Sequence, residues 1–248
     1  MGILRNCNFI NNTGYRGGAV YWRGAYGKIT ASSFTDNIAN MYGGGIYWYS
    51  GNGVLSDSNF INNVAKGNGG GVCWAGDSST LTSCTFTNNN APNGGAIRWN
   101  GVNGTLISCT FNNNAVNTHG GAVYWTSADG TILGSTFINN NAAYGGAIRC
   151  DGVGCTIISS IFNSNIARSG GGAIYWNKLG HIVNCSFFNS KSYLSNGIYA
   201  YSNLIINNGK GIVHVFINGT LSGISIVVLN NETYYYPPNS NINFNYTK

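Results

Sequence analysis

Residues 104–129 read GTLISCTFNNNAVNTHGGAVYWTSAD, and residues 130–154 repeat them as GTILGSTFINNNAAYGGAIRCDGVG. Each copy opens on an aliphatic (Leu106, Ile132), then a small Cys or Ser (Cys109, Ser135), a Phe (Phe111, Phe137) and an Asn (Asn114, Asn140). A Gly-Gly-Ala block follows at Gly120 and Gly145, and it leads to Trp125 or, in the second copy, Cys150. Moving outward in both directions, the same frame recovers most of the chain. Phe recurs at Phe9, Phe34, Phe60, Phe86, Phe111, Phe137, Phe162 and Phe187, always 25 or 26 residues apart. The matching Asn positions are Asn12, Asn37, Asn63, Asn89, Asn114, Asn140 and Asn165, and all six Trp residues fall at one phase.

Self-similarity at a fixed period marks a repeat architecture. This repeat is shorter than a propeller blade of roughly 40–45 residues and lacks a leucine-rich pattern. Each unit holds short alternating pieces such as Ala122-Val123-Tyr124-Trp125, separated by Gly and Asn clusters that read as turns. One unit per coil predicts an all-β, right-handed, single-stranded parallel β-helix. Same-phase residues would then stack about 4.8 Å apart, Phe on Phe and Trp on Trp. An inward Asn at a bend can satisfy turn backbone groups and bond the Asn of the next coil. Residues 1–211 read as about eight to nine coils. After them the period fails. Segments such as Val213-His214-Val215-Phe216-Ile217, with turns at Asn218-Gly219 and Asn230-Asn231, make 212–248 a C-terminal β cap or the start of a following β-sandwich module.

Only 7% of residues are charged, while 43% are hydrophobic, so the chain can bury a core and is not disordered by composition. The net charge of +6 comes from Lys and Arg spread singly, without the basic face a nucleic-acid site needs. No apolar run reaches the roughly twenty residues of a membrane span. Met1 is followed almost at once by repeat sequence, so the chain reads as a piece of a longer protein whose export signal lies upstream.

No catalytic, metal or cofactor constellation is expected. The six acids are Asp36, Asp57, Asp77, Asp129, Asp151 and Glu232, and only Asp129 and Asp151 fall on successive coils where they could approach. His119, His181 and His214 lie at unrelated phases with no metal-ligand spacing. Cys7, Cys84, Cys109 and Cys185 share a column with Ser, which suggests small buried thiols, although Cys84 and Cys109 on adjacent coils could span a disulfide. Cys150 and Cys155 could close a small loop in an oxidising compartment. Sequons at Asn11, Asn103, Asn184, Asn218, Asn231 and Asn245 suit an exported protein.

If the aliphatic and the Trp of the third strand point inward, the residue between them points out. That column and its neighbour supply the expected binding stripe: Tyr21, Tyr47, Tyr49, Arg98, Tyr124, Arg149 and Tyr175. Flat Tyr with Arg suits sugar rings or a protein partner. The plainer reading is that Tyr is a good exposed strand residue.

The alternation of GGA[IV] with FxxN resembles the repeat of chlamydial polymorphic outer-membrane proteins. The Asn- and Tyr-rich version here is similar to large adhesin-like surface proteins of methanogenic archaea. Carrying stretches are Phe60-Ile61-Asn62-Asn63-Val64-Ala65 and Gly120-Gly121-Ala122-Val123-Tyr124-Trp125. The resemblance implies an extracellular, non-catalytic adhesin-like module, a monomeric part of a larger chain whose partner is a cell-surface glycan or protein. The competing readings are a polysaccharide lyase or hydrolase of the pectin-lyase-like fold and a purely structural envelope stalk.

Overall fold

The computed structural model describes residues 2–195 and 197–200 in full, and only the backbone of 204–207, 210–217, 225–229, 232–236 and 240–246. Every regular element among them is a strand. Each coil contributes an aliphatic strand, a Phe strand and a Trp strand, as in Val54–Ser56, Asn59–Ile61 and Val72–Trp74. Successive coils pair in parallel and in register, with Leu55 opposite Leu81, Phe60 opposite Phe86 and Trp74 opposite Trp99. The molecule is therefore a parallel β-solenoid with one repeat per coil.

The interior consists of columns of like residues. Phe34 and Phe60 stack at 4.7 Å, and Trp48 and Trp74 at 4.6 Å. Both values match the spacing of hydrogen-bonded strands, so ring stacking and backbone pairing share one repeat distance. Trp48, Trp74, Trp99, Trp125 and Trp176 are all fully buried, as are the Phe residues from Phe34 to Phe187.

A polar column runs inside as well. Asn63 Oδ1 accepts the Asn37 backbone N–H at 3.1 Å and the Asn37 side-chain amide at 2.9 Å. The Asn37 amide also donates to the Phe9 carbonyl at 3.0 Å. This pattern repeats coil after coil to Asn140 and Asn165. Each buried amide thus satisfies bend backbone groups that would otherwise be orphaned.

The corners explain the composition. The residue before each inward Cys or Ser has positive φ, at Asn6, Ala31, Asp57, Ser83, Ser108, Gly134, Ser159 and Asn184. So does the residue before each column Asn, at Asn11, Asp36, Asn62, Asn88, Asn113, Asn139 and Ser164, and Asn189 repeats it before Ser190 at the same phase. Asn, Asp and Gly tolerate this left-handed region best. Asp36 and Asp57 are therefore corner residues.

The Cys/Ser column has a requirement beyond small size. Ser58 Oγ accepts the Ser32 N–H at 3.1 Å and donates to the Ser56 carbonyl at 2.7 Å. Cys109 Sγ likewise takes the Cys84 N–H at 3.4 Å and donates to Ile107 at 3.2 Å. Cys84, Cys109 and Cys185 are buried free thiols doing a serine's work.

Toward the C-terminus, Leu204–Asn207 and Ser225–Leu229 extend the aliphatic stack in parallel, and Glu232–Tyr236 then pairs antiparallel. Lys210–Ile217 pairs in parallel with both the Phe and the Trp stacks, and Ser240–Tyr246 lies antiparallel against it. The expected turns at Asn218-Gly219 and Asn230-Asn231 lie outside the described residues.

Candidate functional site: the outer seam of the Trp strand

The Trp strand alternates as expected, with Val72 and Trp74 in the core and Cys73 on the opposite face. That outer column runs Tyr21, Tyr47, Cys73, Arg98, Tyr124, Arg149, Tyr175 and Tyr199, in register along the stack. Its expected openness to solvent does not hold throughout. Tyr47, Tyr124 and Tyr175 are only 8%, 9% and 4% exposed, whereas Tyr21 and Tyr49 are 41% and 51% exposed. Arg98 and Arg149 are half-buried.

The burial comes from a second wall. The residue just before each Gly-Gly pair forms its own column of Tyr42, Asn68, Asn93, His119 and Tyr144, joined by parallel bridges from coil to coil. Arg16 leads it, opposite Tyr42. The chain then doubles back at the glycines. The first has φ of 63–67° throughout the series from Gly17 to Gly171. The second leaves no room for a side chain, since a Cβ on Gly44 would sit 2.2 Å from the Gly70 carbonyl oxygen. Wall and strand therefore face each other across a tight corner, and the aromatic wall side chains pack on the outward residue five positions later. Tyr42 meets Tyr47 at 5.5 Å and His119 meets Tyr124 at 5.4 Å. This wall was readable in the sequence as the position preceding each Gly-Gly, a phase to which no role was given.

The stripe splits into two clusters on either side of Cys73, whose thiol burial pushes up to about 12. In the first, Tyr21 stacks on Tyr47 at 5.2 Å and Tyr49 meets Tyr47 edge-on at 6.3 Å. The Arg16 guanidinium lies 5.9 Å from the rings of both Tyr42 and Tyr47. In the second, Arg98 sits 4.2 Å over Tyr124, and Arg149 lies 4.9 Å from Tyr175. The Tyr124 hydroxyl donates to Asp151 Oδ2 at 2.6 Å, and Arg149 Nε donates to Asp151 Oδ1 at 2.9 Å. Arg149 Nη1 is 3.0 Å from His119 Nδ1.

Burial, and then the charge of Arg149, hold His119 below its ordinary pKa. The neutral ring can then accept a hydrogen bond from the Arg149 N–H at Nδ1. Burial and the bond to Asp151 raise the Tyr124 phenol. The cluster is thus a closed polar network in which Asp151 is engaged by two donors. Asp129 does not join it. Its backbone N–H bonds the Val153 carbonyl at 2.8 Å, and its carboxylate lies over Gly154. Asp129 Oδ1 faces the Gly154 backbone, while the Asp151 carboxylate is taken up by Tyr124 and Arg149. Among the described residues, no group of three or more His, Cys, Asp and Glu could hold a metal ion. The side chain of His214 lies outside the described residues.

Comparison with known families finds the Chlamydia polymorphic membrane protein repeat at residues 83–98, 108–124 and 159–175. The solenoid gives those boundaries a meaning. Each segment starts at a left-handed corner (Ser83, Ser108, Ser159) and ends on the outer column (Arg98, Tyr124, Tyr175). The chain is thus an all-β repeat protein whose coils include units similar to that family's. The match bears on the repeat and assigns neither an archaeal source nor a ligand. No curated protein and no solved structure matches the chain.

Proposed function

We propose that this chain is a rigid, non-catalytic module of a surface-displayed, adhesin-like protein, and that it engages a glycan or a partner surface along the open part of its outer seam. The observation that carries this reading is the polymorphic membrane protein repeat occurring in three coils of a continuous parallel solenoid. The contact surface is the N-terminal cluster, where Tyr21 and Tyr49 present ring faces beside the Arg16 and Arg23 guanidiniums. Flat aromatics flanked by cations suit sugar rings and protein surfaces alike. The buried residues Tyr47, Tyr124 and Tyr175, with Arg98 and Arg149, act as the frame behind that surface. The non-catalytic assignment is supported by Asp151, whose carboxylate is already held by Tyr124 and Arg149.

A glycan array and a whole-cell binding assay with the purified chain test this directly. The expected result is saturable binding that drops at least tenfold in Tyr21→Ala/Tyr49→Ala, with unchanged circular dichroism. Binding that ignores the double variant would remove the seam from the account, and no binding anywhere would favour a plain stalk. Release of unsaturated uronide from polyuronides would overturn the non-catalytic reading.

A further inference from the structure

Five coils pair the core Trp with a glycine across the turn that follows it: Trp22 with Gly27, Trp48 with Gly53, Trp99 with Gly104, Trp125 with Gly130 and Trp176 with Gly180. The glycine is needed because the indole occupies the place of its side chain. A Cβ would lie 2.1 Å from the indole at Gly27, 2.5 Å at Gly53, 2.2 Å at Gly104 and Gly130, and 2.0 Å at Gly180. A sixth coil places Ser79 opposite Trp74, and its hydroxyl takes the Gly53 amide proton at 3.1 Å. One coil alone changes both positions to the same residue. Trp becomes Cys150 and the glycine becomes Cys155, with register kept on both sides: Trp125 pairs with Cys150, and Cys155 with Gly180.

We infer that Cys150 and Cys155 form a redox-controlled disulfide that closes the Asp151–Gly154 turn and fills the interior gap left by the missing indole. The geometry follows from the other coils. The two side chains aim at one shared volume, which a single indole bridges elsewhere. A disulfide asks for Cβ atoms about 3.5–4.5 Å apart, and the two free thiols are already hydrogen-bond neighbours. Both thiols are inside, at 1% and 2% exposure. They differ from Cys84 and Cys109, which stand in the Cys/Ser column that bonds the corner backbone at 3.2–3.4 Å, whereas the Cys155 thiol reaches the Ser127 carbonyl only at 3.8 Å.

The chemistry is an exchange with an external disulfide such as oxidised glutathione. Cys155 loses its proton and attacks one sulfur of the oxidant, releasing one thiol. Cys150 then attacks the mixed disulfide, giving up its proton and expelling the second thiol. Two protein S–H bonds are lost, one S–S bond forms, and the oxidant is reduced to two thiols. A hydrogen bond from the Cys150 thiol favours the thiolate at Cys155. The closed turn carries Asp151 at its start, so the bond also steadies the carboxylate that holds Tyr124 and Arg149.

The test is to refold the full chain in a glutathione redox buffer, block free thiols with a maleimide under denaturing conditions, and map the peptides by mass. The expected product has Cys150 and Cys155 unlabelled in one peptide lighter by two hydrogens, with Cys84 and Cys109 labelled. Full labelling of Cys150 and Cys155, or a bond from either to another cysteine, would overturn the proposal. The double variant C150W/C155G restores the neighbouring coils' solution and serves as the control. Oxidation is expected to raise the wild-type Tm by roughly 5 °C and leave the variant's Tm unmoved. An equal rise in the variant would place the redox response elsewhere.

Discussion

Inside the solenoid each column is nearly a single residue type; along the outer seam neighbouring positions are seldom alike. Phe stacks on Phe from Phe9 to Phe187 with ring separations of 4.7–5.0 Å. The outer column instead passes through Tyr47, Cys73, Arg98, Tyr124 and Arg149. The difference is one of packing partners. An interior residue sits on a translated copy of itself, so whatever shape fills one coil fills the next. A seam residue shares its corner with the wall residue of its own coil, and what must be satisfied is the pair. Tyr42 goes with Tyr47, His119 with Tyr124, and Gly170 with Tyr175. The interior therefore specifies the coil, and the seam is free to differ from coil to coil, which is what a recognition surface needs.

The largest break in that contrast is expected in the interior polar column. Asn89→Leu keeps the volume but strands the Asn63 N–H and one of the two amide hydrogens of Asn63, and takes away the amide that donates to the Phe60 carbonyl. At roughly 1–3 kcal/mol per stranded buried group, the loss should exceed about 4 kcal/mol in urea unfolding. A loss near 1 kcal/mol would mean the bends satisfy their backbone without the ladder. Trp99→Ala comes next. Trp99 stacks 4.9 Å from Trp74 and 4.6 Å from Trp125, and its truncation should cost about 3–5 kcal/mol. A cost under about 1 kcal/mol would be incompatible with a buried indole.

The seam should give smaller effects. Tyr124→Phe removes one hydrogen bond to a charged, partly buried carboxylate and should cost about 1–2 kcal/mol by the same measurement. An unchanged midpoint would show that Asp151 is held by Arg149 alone. His119 offers a test by pH. Its folded-state pKa lies below the ordinary 6.5, because burial and Arg149 oppose a second positive charge. Below about pH 6.5 the unfolded chain takes up a proton that the folded chain resists, so this contribution to stability falls as pH drops through the depressed value. His119→Asn copies Asn68 and Asn93 at the same phase and should flatten that slope; an unchanged slope would trace it to another group.

Period and column identity were legible because they follow from translation along one axis. Strand order, parallel register, the Trp and Phe stacks and the Asn ladder all come from spacing alone. Inward and outward alternation on the Trp strand was legible as well. What the alternation could not show is what lies outside the strand. Tyr47 and Tyr124 point away from the core yet are covered, because the Gly-Gly bend folds a second wall over them. Exposure depends on that corner's closeness, set by φ at the first glycine and the missing Cβ at the second. Neither is a property of the tyrosines. Asp36 and Asp57 stand at corners with positive φ, a demand of the bend that the spacing alone does not express.

The smallest effect on stability discriminates best on function. Tyr47 and Tyr49 lie two residues apart in one coil, at 8% and 51% exposure. Tyr49→Ala should change stability by less than about 0.5 kcal/mol, as exposed substitutions do. Tyr47→Ala should cost about 2–4 kcal/mol, since it opens the packing between Tyr21, Tyr42 and Arg16. Ligand binding should rank the two in the reverse sense at temperatures where both are folded. Loss of Tyr49 removes a ring that touches the ligand, while loss of Tyr47 only loosens its support. Equal binding losses in both variants, with Tyr47→Ala still fully folded, would mean that contact and frame are not separated as the burial of the two rings implies.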